Sequence, residues 1–131
     1  STDNRIRLYE QVTGLGFHLP TIIAPTAHVS RYATIGQGTI IMNGVLINAG
    51  ARVGNNCIIN SCALVEHDVI VEDHCHLSTG AILNGNVEIG IGTFVGSGSI
   101  IKESSLLGKG CVVGMGLSVR RNLADHTRYV G

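Results

Sequence analysis

The sequence predicts an all-β fold, a parallel β-helix, on three observations. Stepping by six residues from Ile23, seventeen consecutive positions through Val119 are Ile, Val or Leu, although these types make up only 39 of 131 residues. A second column, four residues after each aliphatic, runs from Ala27 through Val45, Cys57 and Ala81 to Cys111 and holds small or β-branched residues. Fourteen of the 18 glycines follow an aliphatic by one or three residues, as expected of corners where a residue without Cβ takes a positive φ cheaply. A period of six is wrong for a helix and too long for a hairpin. It suits a short strand plus a corner, with three hexads closing one triangular coil and coils stacking by backbone hydrogen bonds. Seventeen hexads make five to six coils.

The elements follow in chain order. Residues 1–22 lie outside the register. In "NRIRLYEQVTGLG", Ile6, Tyr9 and Val12 recur at three-residue spacing before a glycine, which predicts a short amphipathic helix and a linker. Residues 23–123 form the β-helix, and 124–131 an irregular tail. Both ends are placed to cover the open ends of the solenoid, where unpaired strands invite aggregation.

Composition sets outer bounds. The chain suffices for one domain. With five aromatics and no Trp, its core must be built from Ile, Val, Leu and Ala. Nine basic residues balance nine acidic ones, so nothing favours nucleic acid or an anionic membrane. No apolar run approaches 18 residues and no signal-peptide layout opens the chain, which argues against membrane insertion. The cysteines form no CxxC pair and are read as reduced thiols of a cytoplasmic protein. Three of them fall in the small inward column, as small hydrophobes.

The residue before each aliphatic points outward. One outer column runs Ile40, Ile58, His76, Phe94, Val112; a second runs Leu46, Leu64, Ile82, Ile100, Ser118; a third, Arg52, Ile70, Glu88, Leu106, is mixed. Two apolar outer faces on a neutral protein predict packing between identical prisms, as a homotrimer. In this register His67 sits on a corner, in the column Arg31, Ala49, His67, Gly85, Glu103, Arg121, opposite the face that carries His76. The two histidines cooperate only across a subunit boundary. His74, Glu66 and Glu72 fall on corners as surface polar residues, and His18, His28 and His126 are read as structural.

The segments "INSCALVEHDVIVEDHCHLSTGAILNGNVEIG" and "FVGSGSIIKESSLLGKGCVVGMG" resemble the NeuD/PglD family of sialic-acid and nucleotide-amino-sugar acetyltransferases of bacterial surface-polysaccharide pathways. The match covers about residues 20 to 131 and carries the Asn-x6-His-Asp/Glu-x8-His spacing. The resemblance implies a left-handed β-helix and acetyl-CoA as co-substrate. It further implies His67 as general base, Asp68 as the acid that raises its basicity, Asn60 beside the acceptor, and His76 at the thioester. Glycine-rich corners at Gly85, Gly96–Ser97 and Gly114–Met115 would hold the pantetheine arm. Ser97 and Met115 depart from the family side chains, so only backbone contacts carry over there.

The chemistry is coherent by itself. Acetyl transfer needs a base of near-neutral pKa for the acceptor's proton and donors aimed at the developing oxyanion, for which the Gly85 N–H is a candidate. Two rivals remain. A zinc site is disfavoured because His74 and His76, two residues apart, point in different directions, so no metal is expected. A non-catalytic trimeric scaffold leaves His76 unexplained. The expected acceptor is the amine of a nucleotide-linked amino sugar, with a sialic-acid hydroxyl as the alternative. Family members carry an N-terminal α/β domain for the sugar, so residues 1–22 read as its last helix and the chain as a truncated form.

Overall fold

The computed structural model describes residues 1–131 as one helix and a parallel β-solenoid of about six turns, the architecture of a left-handed β-helix. Helix α1 (Thr2–Gly14) opens with the Ser1 hydroxyl accepting from the Asn4 N–H and is followed by Gly16 at φ 91°. The solenoid has three faces of two-residue strands. Face A comprises 22–23, 40–41, 58–59, 76–77, 94–95, 112–113 and 128–129. Face B comprises 28–29, 46–47, 64–65, 82–83, 100–101 and 118–119. Face C comprises 34–35, 52–53, 70–71, 88–89 and 106–107. Neighbouring strands pair in parallel with an offset of one coil, as in Ile58↔His76 and His76↔Phe94.

The hexad aliphatics point inward and form the core from Ile41 onward. The small column fills the bends, and three of its polar members make a common pattern of hydrogen bonds. Thr39, Thr93 and Ser99 are fully buried. Each hydroxyl donates to a corner carbonyl of the next coil, that of Gly54, Gly108 and Gly114 at 2.7, 2.9 and 2.6 Å. Each also accepts a backbone N–H from that coil. The inward thiols act likewise: Cys57, Cys75 and Cys111 donate to the carbonyls of Glu72, Gly90 and Ala124 at 3.2, 3.1 and 3.2 Å. They are hydrogen-bond donors of the stack as well as small hydrophobes.

The corners separate two kinds of glycine that the sequence reading had merged. Every sixth residue from Gly38 to Gly116 has a positive φ, between 54° and 77°, and Gly, Asn, Asp, His, Ser or Cys occupies it. The glycines just after the aliphatics have no positive φ. A Cβ at Gly90 would lie 2.5 Å from the Gly108 carbonyl carbon, and one at Gly96 would lie 2.6 Å from that of Gly114. These positions are glycine because successive coils touch there.

Two expectations about the ends are corrected. The segment 124–131 is not irregular: Arg128 pairs with Val112, and Leu123 bridges to Leu107 and is buried. The last coil is two residues short, so a strict six-residue step loses it after Val119. Helix α1 does not cap the open end, where Ile22 and Ile23 remain exposed. It lies along the corner between faces C and A. There the Arg5 guanidinium donates to the carbonyls of Asn56 and His74, and Tyr9 meets the His74 ring edge-on at 5.4 Å.

Gly90→Ala should lower stability by about 1–3 kcal/mol, because the new methyl overpacks against backbone. Gly98→Asn should cost less: φ is +66° with nothing within 4 Å of a Cβ, and Asn tolerates that region. Urea unfolding of the two variants checks the contrast.

Candidate functional site

Val65 and Val69 both turn inward, so the three residues between them are forced out at the corner joining faces B and C. This corner carries His67 and Asp68, with Nδ1 of the imidazole 3.1 Å from Oδ2 of the carboxylate. Asp68 takes φ 58°, the left-handed conformation of its corner position. An ionised carboxylate only accepts, so Nδ1 carries the ring proton and Nε2 presents its lone pair. Both side chains are exposed, at 59% and 61%. Gly85 lies one coil beyond and is buried beneath the ring.

His76 projects from face A, in register between Ile58 and Phe94, with the Phe94 ring edge-on at 5.1 Å. Its Nε2 is buried and has no hydrogen-bond partner in the chain. Burial, followed by the charge of Arg5, holds this imidazole below its ordinary pKa. A half-buried ring with an unmet nitrogen is the unusual polar feature of face A.

The remaining predicted residues follow the strands of face A, at the corner with face B. The Asn60 side-chain Oδ1 accepts from the Ser61 N–H at 2.7 Å. Ser97 shares a 2.8 Å hydroxyl contact with Ser78, which the sequence reading had not singled out. Gly96 is buried against the Gly114–Met115 backbone, and Met115 is 76% exposed. One chain thus gathers the predicted residues into two groups. His67, Asp68 and Gly85 share the B–C corner, while Asn60, His76, Gly96, Ser97, Gly114 and Met115 belong to face A and its far corner. Face B separates them.

Two corner residues do more than the sequence reading allowed. His74 is half-buried beneath α1, where its Nδ1 lies 2.9 Å from Asn56 Nδ2 and burial depresses its pKa. Glu66 accepts a hydrogen bond from Asn48, one coil earlier. Arg5, which clamps α1, had no periodic signal to announce it. No three His, Cys, Asp or Glu side chains converge to hold a metal ion, and no helix is long and apolar enough to cross a membrane.

Residues 32–67 match the family model "Bacterial transferase hexapeptide (six repeats)". The matched stretch is 36 of the 131 residues. No curated protein sequence matches the chain significantly. Among solved structures, this hexapeptide-repeat chain is similar to the acetyltransferase domain of PglB from Neisseria gonorrhoeae FA1090. The TM-score is 0.97 and the identity 33%, over 99% of this chain and 63% of that one. A perosamine N-acetyltransferase variant from Caulobacter crescentus, in complex with CoA and GDP-perosamine, gives a TM-score of 0.95 and 34% identity, over 100% and 63% of the two chains. WeeI from Acinetobacter baumannii AYE, 23% identical over 95% and 61% of the two chains with a TM-score of 0.89, shares the fold. The chain therefore spans less than two thirds of the length of each of these three structures.

The buried histidines imply a pH dependence. The unfolded chain takes up protons near the ordinary imidazole value of 6.5, while folded His74 and His76 resist them. Their effect is absent above that value, and stability falls as pH drops below it. Thermal melts at pH 7.5 and 5.5 should show a lower Tm at the acid value, and His76→Leu should reduce the difference.

Proposed function

We propose that this chain is an acetyl-CoA-dependent N-acetyltransferase acting on the amino group of a nucleotide-linked amino sugar. We place it in cytoplasmic glycan or surface-polysaccharide biosynthesis, working as a homotrimer. The observation that carries this reading is the His67–Asp68 pair, with its free Nε2 on an exposed corner. It is joined by the 34% identical match, over the whole chain, to the enzyme holding CoA and GDP-perosamine.

The trimer follows from the division of the site. Faces A and B both present apolar outer columns, with Ile40, Leu46 and Ile100 exposed. Setting face A of one chain against face B of the next gives a heterologous contact that closes as a ring of three. It also brings the B–C corner of one chain toward face A of its neighbour, so that His67 and His76 share a cleft. An open groove of about 430 Å³ runs beyond Gly85; its lining holds Lys102 and Arg120 together with Glu103, a small excess of positive charge toward the phosphates of CoA.

In that cleft the co-substrate supplies an activated acetyl carbonyl. His67 Nε2 takes the proton of the acceptor nitrogen as that nitrogen attacks the carbonyl carbon and the carbon–sulfur bond breaks. Asp68 fixes the Nδ1–H tautomer and stabilises the imidazolium that forms. The proton then passes to the leaving thiolate. Asn60 lies where it can orient the acceptor. Gly96–Ser97 and Gly114–Met115 offer backbone to the pantetheine arm, and the unmet Nε2 of His76 can pair with the thioester end. Holding both substrates in line makes a covalent intermediate unnecessary.

Calorimetry with acetyl-CoA and a subunit mass from the same sample should give a trimer with about one site per chain. A trimer without affinity would leave the scaffold reading, whereas a monomer would undo the argument from the apolar faces and the shared cleft with it. His67→Ala should lower kcat roughly 10²- to 10⁴-fold with a nucleotide amino sugar as acceptor. His76→Ala should weaken acetyl-CoA binding about tenfold, the worth of one hydrogen bond near the top of the usual range. Turnover with a sialic acid in place of the amino sugar would favour O-transfer.

A further inference from the structure

Gly85 has neither of the reasons that place glycine elsewhere in this solenoid. It follows Leu83 by two residues, and at that place in the hexad, from Arg31 to Arg121, no other residue is glycine. Its φ is outside the left-handed region, and no backbone of another coil crowds it. What occupies the space of its missing side chain is the imidazole of His67. A Cβ there would run into Nε2, with Cε1 at 2.6 Å and Cδ2 at 3.1 Å. On the other side, Gly50 lies one coil before Asp68, and a Cβ at Gly50 would run into Oδ1, with Cγ at 3.1 Å. Four other glycines of the Gly50 class, Gly80, Gly92, Gly98 and Gly116, have nothing within 4 Å of that point.

We propose that Gly85 is a positioning residue for His67, with Gly50 seating Asp68 in the same way. The inference rests on the reading of His67 as the base. The pair extends along the prism axis across three coils: the carboxylate leans over Gly50, and Nε2 leans over Gly85. This directs the free nitrogen toward the groove that continues past Asn84, Lys102, Glu103 and Arg120. Any side chain at position 85 swings the exposed ring off the corner, because the ring can move and the stacked backbone cannot. Gly85 thereby acts through His67, in addition to any contact its own N–H makes.

Gly85→Ala is the clean test, since its backbone conformation admits alanine, whereas Gly50 at φ +77° does not. The ¹⁵N signals of the His67 imidazole, in full-length protein, report the tautomer directly. Gly85→Ala should shift them toward those of Asp68→Asn, with the thermal melt little changed. In turnover, kcat should fall on the order of 10²-fold. The double variant Gly85→Ala/His67→Ala should be no slower than His67→Ala alone. Unchanged His67 signals in Gly85→Ala, or an additive loss in the double variant, would each overturn the inference. If the wild-type protein turned over no acceptor, the acetyltransferase reading would fail separately, and the imidazole signals would still decide the geometry.

Discussion

The rest of this structure depends on stacking one coil on the next at a one-coil offset, because a two-residue strand holds too few hydrogen bonds to exist alone. Ile40, Ile58 and His76 each donate their N–H to a carbonyl of the following coil, those of Cys57, Cys75 and Thr93. For the offset to persist, every corner must consume the same number of residues. The left-handed residue at every sixth position enforces this, and the buried hydroxyls and thiols tie each bend to the one beyond it. Residues 18 apart are therefore neighbours in space wherever the offset holds.

That spacing governs the chemistry. His67 has Gly85 beyond it and Asp68 has Gly50 before it because the offset leaves no other choice. The same rigidity separates His67 from His76, since a filled prism cannot fold one corner onto the opposite face. A chain built this way holds each of the two groups firmly and keeps them apart. The proposed trimer is what would join them, and it rests on the apolar outer columns and the buried, unpartnered nitrogen of His76.

Helix α1 adds a second layer. Arg5 reaches two corner carbonyls that the solenoid leaves open, those of Asn56 and His74, and Tyr9 closes over the His74 ring. Burial there turns a histidine that reads as surface polarity into part of a docking seam. The charge of Arg5 also depresses His76.

By itself the sequence determined the solenoid, the inward aliphatic column, the outer faces and the positions of His67 and His76 on them. Each of these is a consequence of period, and a period survives in one dimension. The spacing of Asn60, His67, Asp68 and His76 was legible for the same reason. Only the tertiary structure decided that Leu123 and Arg128 continue the helix after a two-residue slip, which defeats a fixed step although the hydrogen bonds tolerate it. It likewise decided that α1 lies along a corner, because Arg5 and Tyr9 find partners far away in the chain. And it alone distinguished a glycine needed for its φ from one needed for a neighbour's bulk. That difference lies between coils, where side-chain direction and close contact, rather than order along the chain, set the constraint.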